Sequence, residues 1–273
     1  IFSLDPEAAH DLAIKSLKFN FLPKSIFDVA DEQILETKLL NARLPNPVGL
    51  AAGFDKSAEV FNSLFRLGYG FVEVGTITPK RQLGNPKPRI FRLEKDQALI
   101  NRLGFNNDGL EIVSKRILDN PPNGFLGINI GPNKDTKNKE EDYYQCLTRL
   151  SSLGDYLTIN ISSPNTEGLR DFHEKQELDK LLSGLNKIKK DKSILKPLVI
   201  KLSPDIDNNE ISKIIELIIK HKVEGIIVSN TTDSNRENLS DIQKNEKGGL
   251  SGQPLKDLST NLIKKFFKET KGK

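Results

Sequence analysis

Small polar residues crowd one stretch of this chain, Asn160-Ile161-Ser162-Ser163-Pro164-Asn165-Thr166-Glu167-Gly168-Leu169-Arg170. Its asparagines offer amide donors and acceptors that can fix a planar polar ligand, and Ser163 precedes a proline that stiffens the backbone carrying its hydroxyl. The same residue types also suit an Asx or Ser/Thr turn that simply joins a strand to a helix. Lysines mark two further places, Lys56 after Leu50-Ala51-Ala52-Gly53-Phe54-Asp55 and Lys201 at the end of Leu198-Val199-Ile200. An ammonium there suits a ligand carboxylate or an electron-rich ring, and equally a surface salt bridge. Gly248-Gly249-Leu250-Ser251-Gly252 precedes a helical pattern and offers amides to a phosphate, although glycine pairs more often mark turns. His10, His173 and His221 lack metal-ligand spacing, so no metal site is expected.

The elements that must carry these groups alternate. Short β-branched runs near Val48–Ala51, Phe71–Gly75, Phe125–Ile130, Tyr156–Asn160, Leu198–Leu202 and Gly225–Ser229 read as strands, too apolar along their length for a sheet with one wet face. Segments Ala58–Leu67, Gly109–Leu118, Glu140–Leu153, Gln176–Lys190, Asn208–His221 and Leu255–Phe267 carry apolar residues three and four apart and read as covering helices. The alternation predicts a parallel α/β sheet. Polar and reactive residues collect at the C-terminal ends of the strands, where a β/α barrel or a doubly wound sheet places its ligand. No Gly-x-Gly-x-x-Gly follows a strand, which weakens the dinucleotide-binding version.

With 273 residues, 36% hydrophobic and 29% charged, and with no Pro- or Ser/Gly-rich linker, the chain suits one large domain. The net charge of +4 arises from 41 basic and 37 acidic residues, too even a balance to imply nucleic acid. Lysine clusters at 187–192 and 264–273 read as solvated helix faces, with contact to anionic lipid as the lesser alternative. The single cysteine, Cys146, cannot form an internal disulfide, which fits a reducing compartment. Neither a stretch of about twenty apolar residues nor signal-peptide architecture is present. At the front, Asp5-Pro6-Glu7 predicts a helix start. Phe2, Leu4, Leu12, Leu17, Phe19, Phe21 and Leu22 with Lys15, Lys18 and Lys24 make this segment amphipathic, suited to packing on the barrel or to a membrane surface.

The serine-rich string resembles the active-site loop of class 2, quinone-dependent dihydroorotate dehydrogenases. Further strings in the same order resemble that family: Leu50–Lys56, Gly75–Pro79, Asn101–Asn107, Gly127–Gly131, Ser229–Thr232 and Gly248–Gly252. The resemblance implies a parallel β/α (TIM-type) barrel that carries FMN and oxidises dihydroorotate to orotate, with a membrane quinone as final acceptor, in pyrimidine biosynthesis. It assigns Ser163 as the base, Thr166 and a water as its proton relay, and Phe105 as part of the enclosure. Lys56, Asn101, Arg102, Leu103, Gly104, Phe105, Asn160, Asn165, Asn230 and Thr231 would bind substrate. Ala52, Gly53, Phe54, Asp55, Lys56, Thr76, Asn129, Asn160, Lys201, Ser229 and Gly252 would hold the flavin. The expected location is peripheral, on the cytoplasmic face of a bacterial-type membrane.

Residues 1–30 are therefore expected to form an N-terminal helical segment on the membrane side, and 31–273 an FMN-binding barrel. Ser229 stands where the family commonly has threonine, and Glu167 where it has proline or alanine. Six strands are legible where a closed barrel has eight. By the resemblance, two further strands would carry the turn that completes the FMN phosphate site, so that site is expected to be incomplete. A start at Ile1 with no methionine anywhere suggests processing or truncation at the front. Two alternatives stand beside this reading. One is another FMN barrel, such as a class 1 dihydroorotate or dihydropyrimidine dehydrogenase, which Ser163 in place of cysteine argues against. The other is a non-catalytic fragment, which the missing strands support.

Overall fold

The computed structural model describes residues 3–19 and 33–272. Strands β3 (Gly49–Leu50), β4 (Phe71–Ile77), β7 (Phe125–Ile130), β8 (Tyr156–Asn160), β9 (Leu198–Leu202) and β10 (Gly225–Val228) form one sheet in that order. The pairs β3–β4, β4–β7 and β9–β10 run parallel. Strands and helices alternate as the apolar runs predict. The chain's contacts divide it into two compact units. The first holds the described residues up to Leu83 with Phe105–Thr158 and Leu195–Leu198, and the second holds Gly84–Gly104, Ile159–Ile194 and the described residues from Val199 onward.

In the first unit, helix α1 (Pro6–Phe19) begins as Asp5-Pro6-Glu7 predicts: the Asp5 carboxylate accepts the amides of Glu7 and Ala8, both at 3.0 Å. Ile14 is its one buried residue, while Leu4, Leu12 and Phe19 are exposed. The remaining apolar and basic residues of the front segment, Phe2, Phe21, Leu22 and Lys24, lie outside the described residues. Helix α2 is shorter than expected, Phe61–Arg66. Asp55 explains the shortening, because its carboxylate accepts the Glu59 and Val60 amides at 2.7 and 2.8 Å and holds a turn where the helix was expected. Behind it, β4 and β7 pair in the register Val72↔Leu126, Glu73↔Gly127, Val74↔Ile128, with every apolar member fully buried. Helices α3 (Leu110–Asp119) and α4 (Lys139–Leu150) also belong to this unit, as does the hairpin of β1 (Thr37–Leu39) and β2 (Ala42–Leu44).

The second unit holds two long amphipathic helices, α5 (Lys175–Asp191) and α6 (Asn208–Lys220). Leu178, Leu181, Leu182 and Leu185 on α5 and Ile211, Ile214, Ile215 and Ile218 on α6 are buried at helical spacing, each contributing about 1.5–3 kcal/mol. This unit also contains an antiparallel sheet that periodicity did not disclose. Here β6 (Ala98–Asn101) pairs with both β5 (Ile90–Leu93) and β11 (Gly249–Gly252), over a cluster of Phe91, Leu93, Ala98, Ile100, Leu239 and Leu250. Gly249–Gly252, expected to mark a glycine turn, is thus a strand that leads directly into α7 (Gln253–Glu269).

Candidate active site

Within the first unit, the expected flavin-side residues gather at the ends of β3, β4 and β7. Thr76 and Asn129 are buried and joined, the Thr76 hydroxyl donating to Asn129 Oδ1 at 2.6 Å. The other half of that amide donates to Glu73 Oε1 at 2.9 Å. Glu73 Oε2 accepts the Tyr156 and Thr158 hydroxyls at 3.0 and 2.7 Å, so one buried carboxylate fixes which way Asn129 faces. Burial, followed by the Glu73 charge, pushes the Tyr156 hydroxyl far above its ordinary range and keeps it a donor. Gly127 is bare because a Cβ there would lie 2.2 Å from the Tyr156 ring. Gly131 likewise lies between the Thr76 methyl and the Phe105 ring, at 2.8 and 3.0 Å from the place of its missing Cβ.

Lys56 Nζ donates to the Gly53 carbonyl at 2.5 Å. Gly53 itself has φ +114°, with open space where a side chain would stand, a backbone surface that a flat ring can approach. Ala52 is half-buried beside it. Phe54 meets the His10 ring of α1 edge-on at 5.1 Å. The Asp55 carboxylate is engaged by the amides that shorten α2, and burial raises its pKa against those bonds. These side-chain contacts of Phe54 and Asp55 are structural.

Within the second unit, the expected substrate-side residues interlock. Ser163 is 5% exposed, and its Oγ accepts the Asn165 amide at 3.2 Å. Among the described residues that hydroxyl donates to nothing, and the buried Thr166 hydroxyl makes no hydrogen bond. Asn165 Nδ2 reaches the Asn101 carbonyl at 3.1 Å and its Oδ1 at 3.4 Å. The Ser162 hydroxyl donates to Asn160 Oδ1 and accepts Asn230 Nδ2, both at 2.9 Å, while Asn230 Oδ1 accepts the Thr231 amide at 2.8 Å. Gly249 lets this cluster close: a Cβ there would collide with Thr231 Oγ1 and press on Pro164. Asn85, which carried no signal of its own in the sequence, donates to the Arg102 carbonyl at 2.9 Å and the Asn165 carbonyl at 3.5 Å. Leu103 accepts the Asn85 amide, and Gly104, at φ +72°, leaves room for the Asn85 side chain. Arg102 turns elsewhere, lying over the Phe91 ring at 4.5 Å and pairing with Glu246 at 2.7 Å.

Lys201 is 8% exposed at the end of β9, and its ammonium has no hydrogen bond or ion pair among the described residues. A sheltered cation of this kind suits an electron-rich or anionic ligand. Ser229 bonds the Asn230 carbonyl and, at 3.5 Å, Ser259 of α7. Gly252 immediately precedes α7, whose N-terminus can favour an anion, but the Leu250 and Gln253 amides are already taken by the Thr232 and Gln97 carbonyls. No group of His, Cys, Asp and Glu able to hold a metal occurs among the described residues.

Parallel strands whose C-terminal ends carry amides, hydroxyls and a sheltered ammonium are the working parts of a TIM-type α/β enzyme. A family model described as dihydroorotate dehydrogenase matches residues 34–273. A curated relative from Idiomarina loihiensis, named dihydroorotate dehydrogenase (quinone), is 43% identical over 98% of this chain and 82% of its own length. One from Bartonella henselae, with the same name, is 45% identical over 97% of this chain and 74% of its own. The crystal structure of Eimeria tenella DHODH in complex with ferulenol has a TM-score of 0.92 at 40% identity, covering 98% of this chain and 78% of that one. The chain belongs to the dihydroorotate dehydrogenase family and has its TIM-type α/β fold.

Proposed function

We propose that this protein oxidises (S)-dihydroorotate to orotate in pyrimidine biosynthesis, with FMN as hydride acceptor and a quinone as final electron acceptor. Its family is flavin-dependent, and its relatives carry the quinone enzyme's name. The observation that carries the mechanism is Ser163, a buried hydroxyl that accepts the Asn165 amide and donates to no described residue. A free serine hydroxyl is a poor base near neutral pH. The Asn165 N–H stabilises negative charge on Oγ as the serine proton leaves, which favours removal of the substrate proton by Ser163. Thr166, buried three residues on, is assigned the relay that carries the serine proton away.

Asn101, Asn160, Asn165, Asn230 and Thr231 would orient the ring and carboxylate of the substrate, with Lys56 neutralising charge. Gly53, Thr76 and Asn129 suit the isoalloxazine ring, Lys201 its pyrimidine edge, and Gly252 the phosphate side. Bound FMN supplies the hydride acceptor. Arg102, Leu103, Gly104 and Phe105 would contribute walls, because Arg102 and the Leu103 carbonyl are held by their own neighbours. No described helix is long and apolar enough to cross a membrane. The exposed Leu4, Leu12 and Phe19 on and beside α1 support peripheral contact with a membrane surface as the route to quinone.

The test is Ser163→Ala in the full-length, flavin-loaded enzyme. Flavin reduction by dihydroorotate, followed by stopped-flow absorbance, should slow by about 10³-fold or more while flavin content stays unchanged. A wild-type rate would remove Ser163 from the mechanism.

A further inference from the structure

The serine loop is held by a charged group that none of the ligand assignments includes. Arg170 Nε donates to the Ser162 carbonyl at 3.3 Å, and Nη2 to the Thr231 carbonyl at 3.4 Å. The same guanidinium pairs with Asp205 at 3.1 Å and with Asp233 at 3.0 Å. Asp205 is itself a hub. It accepts the hydroxyls of Thr232, Ser234 at 3.0 Å and Ser203 at 3.5 Å, and the Asp233 amide at 3.2 Å. One ion pair therefore ties together the loops that follow β8, β9 and β10. The side chains of Arg170 and Asp205 are only 24% and 15% exposed, whereas Asp233 is 55% exposed, so the Asp205 arm is the sheltered one.

From this geometry we infer that Arg170, anchored by Asp205, is a positioning residue for proton removal, setting the peptide that carries Ser163 against the loop that carries Asn230 and Thr231. The Ser162 carbonyl it grips belongs to the peptide bond that enters Ser163, so a shift there displaces the hydroxyl directly. A misplacement of about 1 Å in a reacting group can cost about 10²-fold in rate. A planar five-donor fork reaches two carbonyls and two carboxylates at once, which a lysine cannot do. A second, neutral link, Asn230 to Ser162, runs between the same loops but passes through an assigned substrate ligand. Arg170 is thus the link that can be cut without altering the side chain of any assigned ligand.

The inference rests on the reading of Ser163 as the base, and a double-mutant cycle separates the two. Ser163→Ala, Arg170→Ala, their combination, Arg170→Lys and Asp205→Asn are compared in the full-length enzyme by flavin content and single-turnover flavin reduction. Arg170→Ala should lose about 10²-fold in rate with flavin content unchanged, and Arg170→Lys and Asp205→Asn about 10-fold. If Arg170 acts through Ser163, the double variant should be no slower than Ser163→Ala to within about twofold. Full additivity in the double variant would overturn the inference, as would wild-type rates in Arg170→Lys and Asp205→Asn, which keep close to native volume if Arg170→Ala does not fold. Failure of the Ser163 reading would show separately, as a wild-type rate in Ser163→Ala alone.

Discussion

Glu73 in the first unit and Asp205 in the second are both sheltered carboxylates close to assigned ligands, yet they are satisfied in opposite ways. Glu73 sits in a cage of neutral donors, the Asn129 amide and the Tyr156 and Thr158 hydroxyls, with no cation against it among the described residues. Asp205 is met by hydroxyls and an amide as well, but a guanidinium closes the set. The neutral cage leaves Tyr156 locked as a donor and gives Asn129 one orientation, as a fixed wall for a flat ring requires. The charged clamp joins three separate loops, and its strength depends on Asp205 remaining ionised. Rigidity in the first region comes from strand packing, and in the second from a charged contact between loops.

The largest effect should come from emptying the cage. Glu73→Leu would leave the Tyr156 hydroxyl, the Thr158 hydroxyl and one Asn129 amide hydrogen buried without acceptors, at about 1–3 kcal/mol each, so a loss of at least about 3 kcal/mol is expected in urea unfolding. Glu73→Gln, which keeps an acceptor, should lose about 1–2 kcal/mol. A neutral result for Glu73→Leu would show that the cage does not organise this region.

Acid should act on the second unit. His173 follows Arg170 in the serine loop's 3-10 turn, and its Nε2 is buried without a partner. Burial, aided by the Arg170 charge, lowers its pKa from the ordinary 6.5 to about 4. The unfolded chain therefore binds a proton between these values that the folded chain does not. This contribution is complete above about pH 6.5 and is lost as pH falls toward 4, by about 3 kcal/mol at most. His173→Phe should flatten that part of the pH dependence of the denaturation midpoint. Burial opposes ionisation of Asp205, but hydrogen bonds from Thr232, Asp233 and Ser234 outweigh it and hold the carboxyl below its usual range. Its contribution is thus present above about pH 4 and disappears only below that, so the two groups titrate in separable windows.

The smallest effect belongs to charges that only decorate the second unit. Lys220 pairs with Asp179 at 2.7 Å across the exposed faces of α6 and α5. Lys220→Ala should leave the urea denaturation midpoint within error of the wild type and flavin reduction untouched, because solvent screens a pair this exposed. A measurable loss would blur the distinction drawn between a sheltered clamp and a surface pair.

Much of the frame was legible because uninterrupted apolar runs admit few readings. Phe125–Ile130, Tyr156–Asn160 and Leu198–Leu202 are strands at the boundaries that their composition indicated. Elements whose limits depend on a side-chain bond were less legible, as α2 shows, since Asp55 removes its first residues. The β5–β6 hairpin escaped because each strand is four residues long and alternates too briefly to stand out. In the site, Ser163 and the asparagines announced themselves by density. Glu73, Asn85 and Asp205 did not, because a single polar residue shows its importance only when distant partners converge on it. Glu73 left one usable trace, a charged residue inside the apolar run Phe71–Ile77, which predicts buried donors facing it. Arg170 was visible as the last letter of a motif, but its reach to Thr231 and Asp205 is a property of three loops together.

Cys146 is the chain's single cysteine, fully buried on α4 with its sulfur 3.9 Å from the Ile77 carbonyl at the end of β4. Burial raises its thiol pKa far above the ordinary value, so in the closed structure it is both unreachable and unreactive. Any labelling by a thiol reagent must therefore pass through an opening that lifts α4 from the sheet. The wild-type protein thus contains its own clock for that opening, and the rate of modification across a denaturant series reports the free energy of exposing the first unit's core without any engineered probe.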